Sequence, residues 1–237
     1  MKKTAVLCAA LVTVMLETLA LPVFAGEPTA AERVIAVKAH LAESQTVLRQ
    51  YQWVETTSVS VKGVEKSRTQ KVCSYDADGV VRKVPVNPQD LSRRDNLARQ
   101  LDNAEMNKEG ITVDMESAKR LVHTYIPLNP NGLQEVVDKG KLSFNETDPG
   151  KQGRLTIRDF LKRGDQVDLD LEMSSNRPLS LNINSYFDDA KNERVTLAVT
   201  FGSLYGRATF AREIVLNAAE KKLNVTVRNT DYNTLAP

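Results

Sequence analysis

The stretch from Asp168 to Ile183, DLDLEMSSNRPLSLNI, limits what this chain can fold into more than any other. Polar and apolar residues alternate, a turn follows, and the alternation resumes. Successive side chains of a strand point to opposite faces, so this pattern predicts two antiparallel strands with one apolar face each. Such a face has to be covered, by helices of the same chain, by a partner or by a greasy ligand.

The same signature recurs along the chain. Residues 154–160, 166–173, 179–186, 194–201, 208–216 and 223–228 read as a meander of strands joined by short polar turns, hence antiparallel neighbours. The inward set is Val167, Leu169, Leu171 and Met173; Leu179, Leu181 and Ile183; Val195, Leu197, Val199 and Phe201; and Leu223, Val225 and Val227. The opposite face carries Asp168, Asp170, Glu172, Ser180, Asn182, Asn184, Thr196, Thr200, Asn224 and Thr226, as in a sheet with one wet side. Earlier, Tyr51, Trp53, Thr57, Val59 and Val61 share one face of a strand, and residues 68–75 and 80–86 return as two more. Asp76-Ala77-Asp78-Gly79 lacks the further oxygen donors of a calcium loop and reads as a hairpin turn with glycine in left-handed geometry.

Helical spacing appears in two places. Residues 28–49 carry Ala30, Ala31, Val34, Ile35, Val37, Leu41, Val47 and Leu48 at intervals dominated by three and four. Thr29 is a candidate N-cap with Glu32 three residues on. Residues 114–125 repeat the pattern with Met115, Ala118, Leu121, Val122 and Tyr125. Residues 90–108 read as a charged, solvated helix and 133–141 as a short third one. Together, about 90–141 is a helical insertion between strands of one domain.

The first 25 residues are of another kind. Lys2 and Lys3 precede an apolar run to Leu16, and Val23-Phe24-Ala25 sets up cleavage after Ala25. This is the pattern of a secretory signal, too short to span a bilayer. The expectation is a periplasmic or secreted protein, residues 26–237, folding as a single α+β domain. Cys8 goes with the signal, which leaves Cys73 as the sole cysteine, without an intramolecular disulfide partner. No other segment is apolar enough to cross a membrane.

Chemistry is sparse. Lys and Arg number 32 against 30 Asp and Glu, a balance that gives no steering toward nucleic acid. His40 and His123 stand apart from any metal-ligand spacing. Nucleotide-binding and nucleophile-elbow motifs are missing. A Cys73–His123 nucleophile and an acidic site at Asp168, Asp170 and Glu172 are both weaker readings than a buried thiol and a solvated strand face. The sequence points to no enzyme, no catalytic residue, no cofactor and no metal.

The segments QYQWVETTSVSVKG, CSYDADGVVRKVPV and MSSNRPLSLNI, with the N-terminal helix and the helical block, resemble the bacterial lipoprotein-sorting superfamily. That group comprises the periplasmic lipoprotein carrier, its outer-membrane receptor and related exported lipid-binding proteins. The resemblance implies a curved antiparallel sheet, an incomplete barrel, with helices covering its concave apolar face and acyl chains received beneath them. The lining candidates are then Trp53, Val59, Val61, Leu169, Leu171, Leu181, Ile183, Leu197, Val199 and Phe201 from the strands, with Leu121 and Tyr125 from the helical block. The expected partners are a lipid or acylated ligand, or an envelope protein. The alternative is a non-catalytic interaction module with a filled core.

Overall fold

A computed structural model describes residues 27–86, 111–126, 135–137, 139–187 and 193–235. The expected signal and the charged helix at 90–108 lie outside the described residues, as does most of the short helix at 133–141, of which residues 135–137 are helical.

Helix α1 spans Ala30–Leu48. The Thr29 hydroxyl accepts from Glu32 N, and the Glu32 carboxylate accepts from Thr29 N at 2.7 Å, closing the expected capping box. Strands β1 (Tyr51–Val61), β2 (Val64–Tyr75) and β3 (Val81–Pro85) follow. Gly79 turns the chain at φ +79°, and Asp76 Oδ1 accepts from Asp78 N and Val80 N, so the DADG stretch is a turn built on its first aspartate. Helix α2 spans Ile111–Tyr125. The remaining strands are β4 (Leu142–Asp148), β5 (Gln152–Arg158), β6 (Gln166–Glu172), β7 (Arg177–Tyr186), β8 (Arg194–Leu204), β9 (Ala208–Ala218) and β10 (Leu223–Thr234).

All ten strands form one antiparallel sheet in the order β3-β2-β1-β10-β9-β8-β7-β6-β5-β4. Its edges, β3 and β4, do not pair with each other, so the barrel stays open. Helix α1 packs on β9 and also touches β7 and β4. The helix thus lies across the sheet, from β9 to β4. The fold is therefore α+β, an incomplete barrel with helices on its concave side.

Three details depart from the expected pattern. Strand β4 was not expected: of LSFNETD only Leu142 and Phe144 pack toward the core, and an edge strand so polar carries no alternation to read. Leu179 does not take its expected inward place. A bulge sets Leu171 opposite Pro178, which is buried, and leaves Leu179 half-buried. Ile35 leaves the apolar stripe of α1 and is 59% exposed.

Candidate functional site: the covered concave face

The strands place their apolar side chains in one cluster. Val59, Val61, Leu169, Leu171, Leu181, Ile183, Leu197 and Val199 are buried there together, and Phe201 packs on its margin. Leu121 and Tyr125 enter it from α2. Of the sequence-derived candidates only Trp53 stands apart from this cluster. It belongs to an aromatic group with Tyr75, Tyr232 and Phe210 at the C-terminal end of α1, beside Val47 and Leu48.

Tyr125 is a strut between helix and sheet. Its hydroxyl donates to Asp165 Oδ2 at 2.5 Å and lies 2.9 Å from Ser185 Oγ. Burial, then the bond to Asp165, pushes its ionisation well above the ordinary tyrosine value.

Helix α1 covers the sheet in an unusual way for a core helix. Its buried residues are Arg33, Val34, Val37, Ser44 and Leu48, so only three of five are apolar. The polar ones are latches. Arg33 donates through Nη1 to Asn176 Oδ1 at 3.1 Å in the β6–β7 turn, and its guanidinium lies 4.2 Å from the centre of the Phe144 ring on β4. His40 Nε2 lies 2.7 Å from Thr209 Oγ1 on β9, and Thr209 N donates to Ser44 Oγ at 2.9 Å. Burial, with a smaller push from Arg177 and against Glu43, holds the His40 imidazole below its ordinary value. It therefore meets Thr209 uncharged at neutral pH. These latches escaped the sequence reading. Arg33, Val37, His40, Ser44 and Leu48 stand four, three, four and four residues apart, on the stripe where apolar residues belong. Polar side chains at those positions were the available signal.

The carboxylates Asp168, Asp170 and Glu172, for which a strand face was the stronger reading, are all hydrogen-bonded on the outer face. Arg154 forms a fork on Asp170, at 2.7 and 3.0 Å, and Ser180 donates to the same carboxylate. Thr156 and Gln166 donate to Asp168, and Arg177 and Ser175 to Glu172. Two grooves formed by described residues also lie away from the covered layer. One, of about 210 Å³, runs over β2, β1 and β10 and is lined by Thr56, Ser58, Ser60, Glu65, Arg68, Thr226 and Arg228. The other, of about 480 Å³, sits by the β1–β2 and β9–β10 turns.

Cys73 is fully buried opposite Trp53. Burial, reinforced by Glu55, pushes its thiol up to about 11, which is the reverse of an activated nucleophile. His123 is exposed on α2. Among the described residues no group of His, Cys, Asp and Glu could hold a metal ion. No helix among them is long and apolar enough to cross a membrane.

The buried Cys73 and the half-buried Tyr75 and Tyr232 give the fold an alkaline limit. In each, burial raises the ionisation value above that of the unfolded chain. The unfolded state then loses protons first as pH rises, and stability falls with pH. The Cys73 contribution is complete below the free-thiol value of 9.0 and is lost as pH climbs through about 11. Thermal melts are expected to show Tm falling steadily over that window, less steeply in Cys73→Ala. A Tm flat across it contradicts this reading.

The fold and this covered face define a class: open antiparallel half-barrels with a helical cover. No protein-family model matches the sequence, and no curated protein matches it either. Several solved structures do match. A LolA superfamily protein of Nitrosomonas europaea is 10% identical, with 85% of this chain and 94% of that one covered at a TM-score of 0.38. A DUF1329 family protein of Desulfovibrio piger is 6% identical, covering 86% and 91% at 0.40. An outer-membrane lipoprotein-sorting protein domain of Vibrio parahaemolyticus, described as putative, is 9% identical, covering 83% and 91% at 0.37.

Proposed function

We propose that residues 26–237 form a single-domain exported envelope protein. It takes up the hydrophobic part of an amphiphile on the concave face of the sheet, with α1 as a displaceable cover and without catalysis. One observation carries this reading. A broad apolar layer lies under a 19-residue helix that itself buries only Val34, Val37 and Leu48 as apolar residues. Burying each contributes roughly 1.5–3 kcal/mol, so the hold on α1 is small beside the apolar surface it hides. The rest of the attachment is the half-buried Ala30, Leu41 and Val47, the Arg33 guanidinium on Phe144, and hydrogen bonds that water can replace at small net cost. A helix so held can leave the sheet without unfolding it. The exposed strand face then offers Val59, Leu169, Leu181, Ile183, Leu197 and Val199 to an acyl chain. The signal pattern and the superfamily resemblance agree with this reading.

Titration with cis-parinaric acid tests it. Saturable enhancement of probe fluorescence, reversed by an excess of unlabelled palmitate, is the expected result. No saturable uptake by the folded chain contradicts it.

A second reading draws on the outer groove over β2, β1 and β10, whose hydroxyls and two arginines suit a polar protein partner. Arg68 and Arg228 are already paired with Glu65 and Glu213, so the concave face has the stronger case.

A further inference from the structure

Lys62 and Lys222 face each other at one end of the sheet. The β1–β10 ladder pairs Val61 with Leu223, and the next step is Lys62 against Lys222, closed by a 2.8 Å bond from Lys62 N to Lys222 O. Both lysines belong to hairpin turns. Lys62 and Gly63 make the two-residue turn from β1 to β2, at φ +53° and +80°, the left-handed pair such a turn requires. Lys222 closes the β9–β10 turn, donating from N to Ala219 O at 3.0 Å, with φ at +50°. Val61 and Leu223, 5% and 2% exposed, fix the backbone beneath them.

Like charges set opposite each other across a ladder repel. None of the ion pairs among the described residues includes Lys62 or Lys222. Two neighbouring acids are engaged elsewhere, Glu65 by Arg68 at 2.8 Å and Glu193 by Lys221 at 3.2 Å. The lysines line one groove of about 480 Å³ together with Gly63, Asn217, Ala219 and Asn224. Asn217 and Asn224 stand opposite each other in the β9–β10 ladder. Val195 pairs with Ala218, which sets the exposed Arg194 alongside Ala219 as a third cation. Val64, 58% exposed, follows Gly63 directly. Helix α1 meets β9 at Thr209, the other end of that strand, so this groove is separate from the cover.

We propose that this end of the sheet docks on an anionic phospholipid bilayer, with headgroup phosphates seated between Lys62 and Lys222. A phosphate brings the negative charge that two opposed ammonium groups lack, and lysine meets it as a point charge without a fixed geometry. The exposed Val64 favours a bilayer over a free phosphate ion, since an apolar residue beside lysines gains by entering the headgroup boundary. Each lysine near an anionic surface contributes about a factor of five. Three cations therefore give reversible contact and not permanent anchoring. This docking goes beyond the carrier reading and does not depend on it.

Cosedimentation of the full mature chain with vesicles tests it. Vesicles of equal parts phosphatidylglycerol and phosphatidylcholine are expected to bind the protein at low salt, and to release it as salt screens the contact. Lys62→Asn/Lys222→Asn keeps the left-handed turns, which asparagine tolerates, and is expected to bind about thirtyfold more weakly. Lys62→Arg/Lys222→Arg is expected to retain binding, and Glu220→Gln, which removes the carboxylate of the β9–β10 turn, to strengthen it. Circular dichroism shows that each variant is folded. Equal binding to pure phosphatidylcholine vesicles overturns the proposal, as does an asparagine pair that binds like the wild type, or no sedimentation at all. Displacement by glycerol 3-phosphate, at a concentration matched to the lipid phosphate, overturns the bilayer in favour of a free phosphate ligand. The asparagine pair is expected to take up cis-parinaric acid unchanged. Failure of the wild type to take up that probe contradicts the carrier reading alone.

Discussion

Replacing Asp165 with alanine is expected to cost about 3–5 kcal/mol of stability, the largest loss from any single side chain considered. Asp165 is 2% exposed. Its carboxylate accepts from Phe160 N at 2.6 Å, Leu161 N at 3.0 Å, Lys162 N at 2.9 Å and the Tyr125 hydroxyl. The first three close the β5–β6 turn, and the fourth ties α2 to the sheet. Alanine removes both carboxylate oxygens and with them four accepted hydrogen bonds at once, three of them from part-buried backbone N–H groups and one from the buried Tyr125 hydroxyl. Asp165→Asn keeps the shape but turns an N–H₂ toward other donors, so it is expected to fall between wild type and alanine. Urea unfolding followed by circular dichroism measures both. In a chain of this size each kcal/mol moves Tm by roughly 2–4 °C, so the alanine variant is expected to melt on the order of 10 °C lower. A loss under about 1 kcal/mol contradicts the assignment of Asp165 as the organiser of this corner. Tyr125→Phe removes only the fourth bond and is the smaller companion effect.

That corner shows how far sequence reasoning reaches. Tyr125 stood out by helical spacing, and its burial against the sheet agrees with that. What it bonds to was not legible, because Asp165 lies forty residues away in a turn whose Lys-Arg-Gly-Asp composition looked solvated. The meander was readable for a simple reason. Strands covered on one face only must alternate, and residues 166–173 and 194–201 do so almost without exception. Where a strand has little to bury the signal vanishes, as in β4, which places only Leu142 and Phe144 against the core. Where a bulge intervenes the alternation survives but points to the wrong residue, so that Pro178 and not Leu179 opposes Leu171. The latches of α1 were missed for the opposite reason. Arg33 and Ser44 are polar types, and their partners Asn176 and Thr209 lie more than a hundred residues on. Long-range polar pairs leave no periodicity to find.

The second large effect concerns α1 itself. If the helix must leave the sheet for a ligand to enter, then tying it down must close the protein. Ser44 and Thr209 offer the means. The 2.9 Å bond from Thr209 N to Ser44 Oγ brings the two Cα atoms within about 7 Å, inside the reach of a disulfide. The residues belong to α1 and β9, so the crosslink spans cover and sheet. Cys73, buried and slow to ionise, does not compete for the bond. A roof that has to lift for each ligand cannot do so freely when bolted to the sheet one turn from its C-terminal end, whereas a preformed pocket with a fixed cover would be indifferent to the bolt.

The decisive measurement is therefore uptake of cis-parinaric acid by the Ser44→Cys/Thr209→Cys protein, oxidised and then reduced. Oxidation is expected to weaken binding at least about tenfold, equivalent to about 1.4 kcal/mol, with full recovery when the bond is reduced. Equal uptake in both states, with the crosslink verified by mass spectrometry, contradicts α1 as the moving cover of this half-barrel.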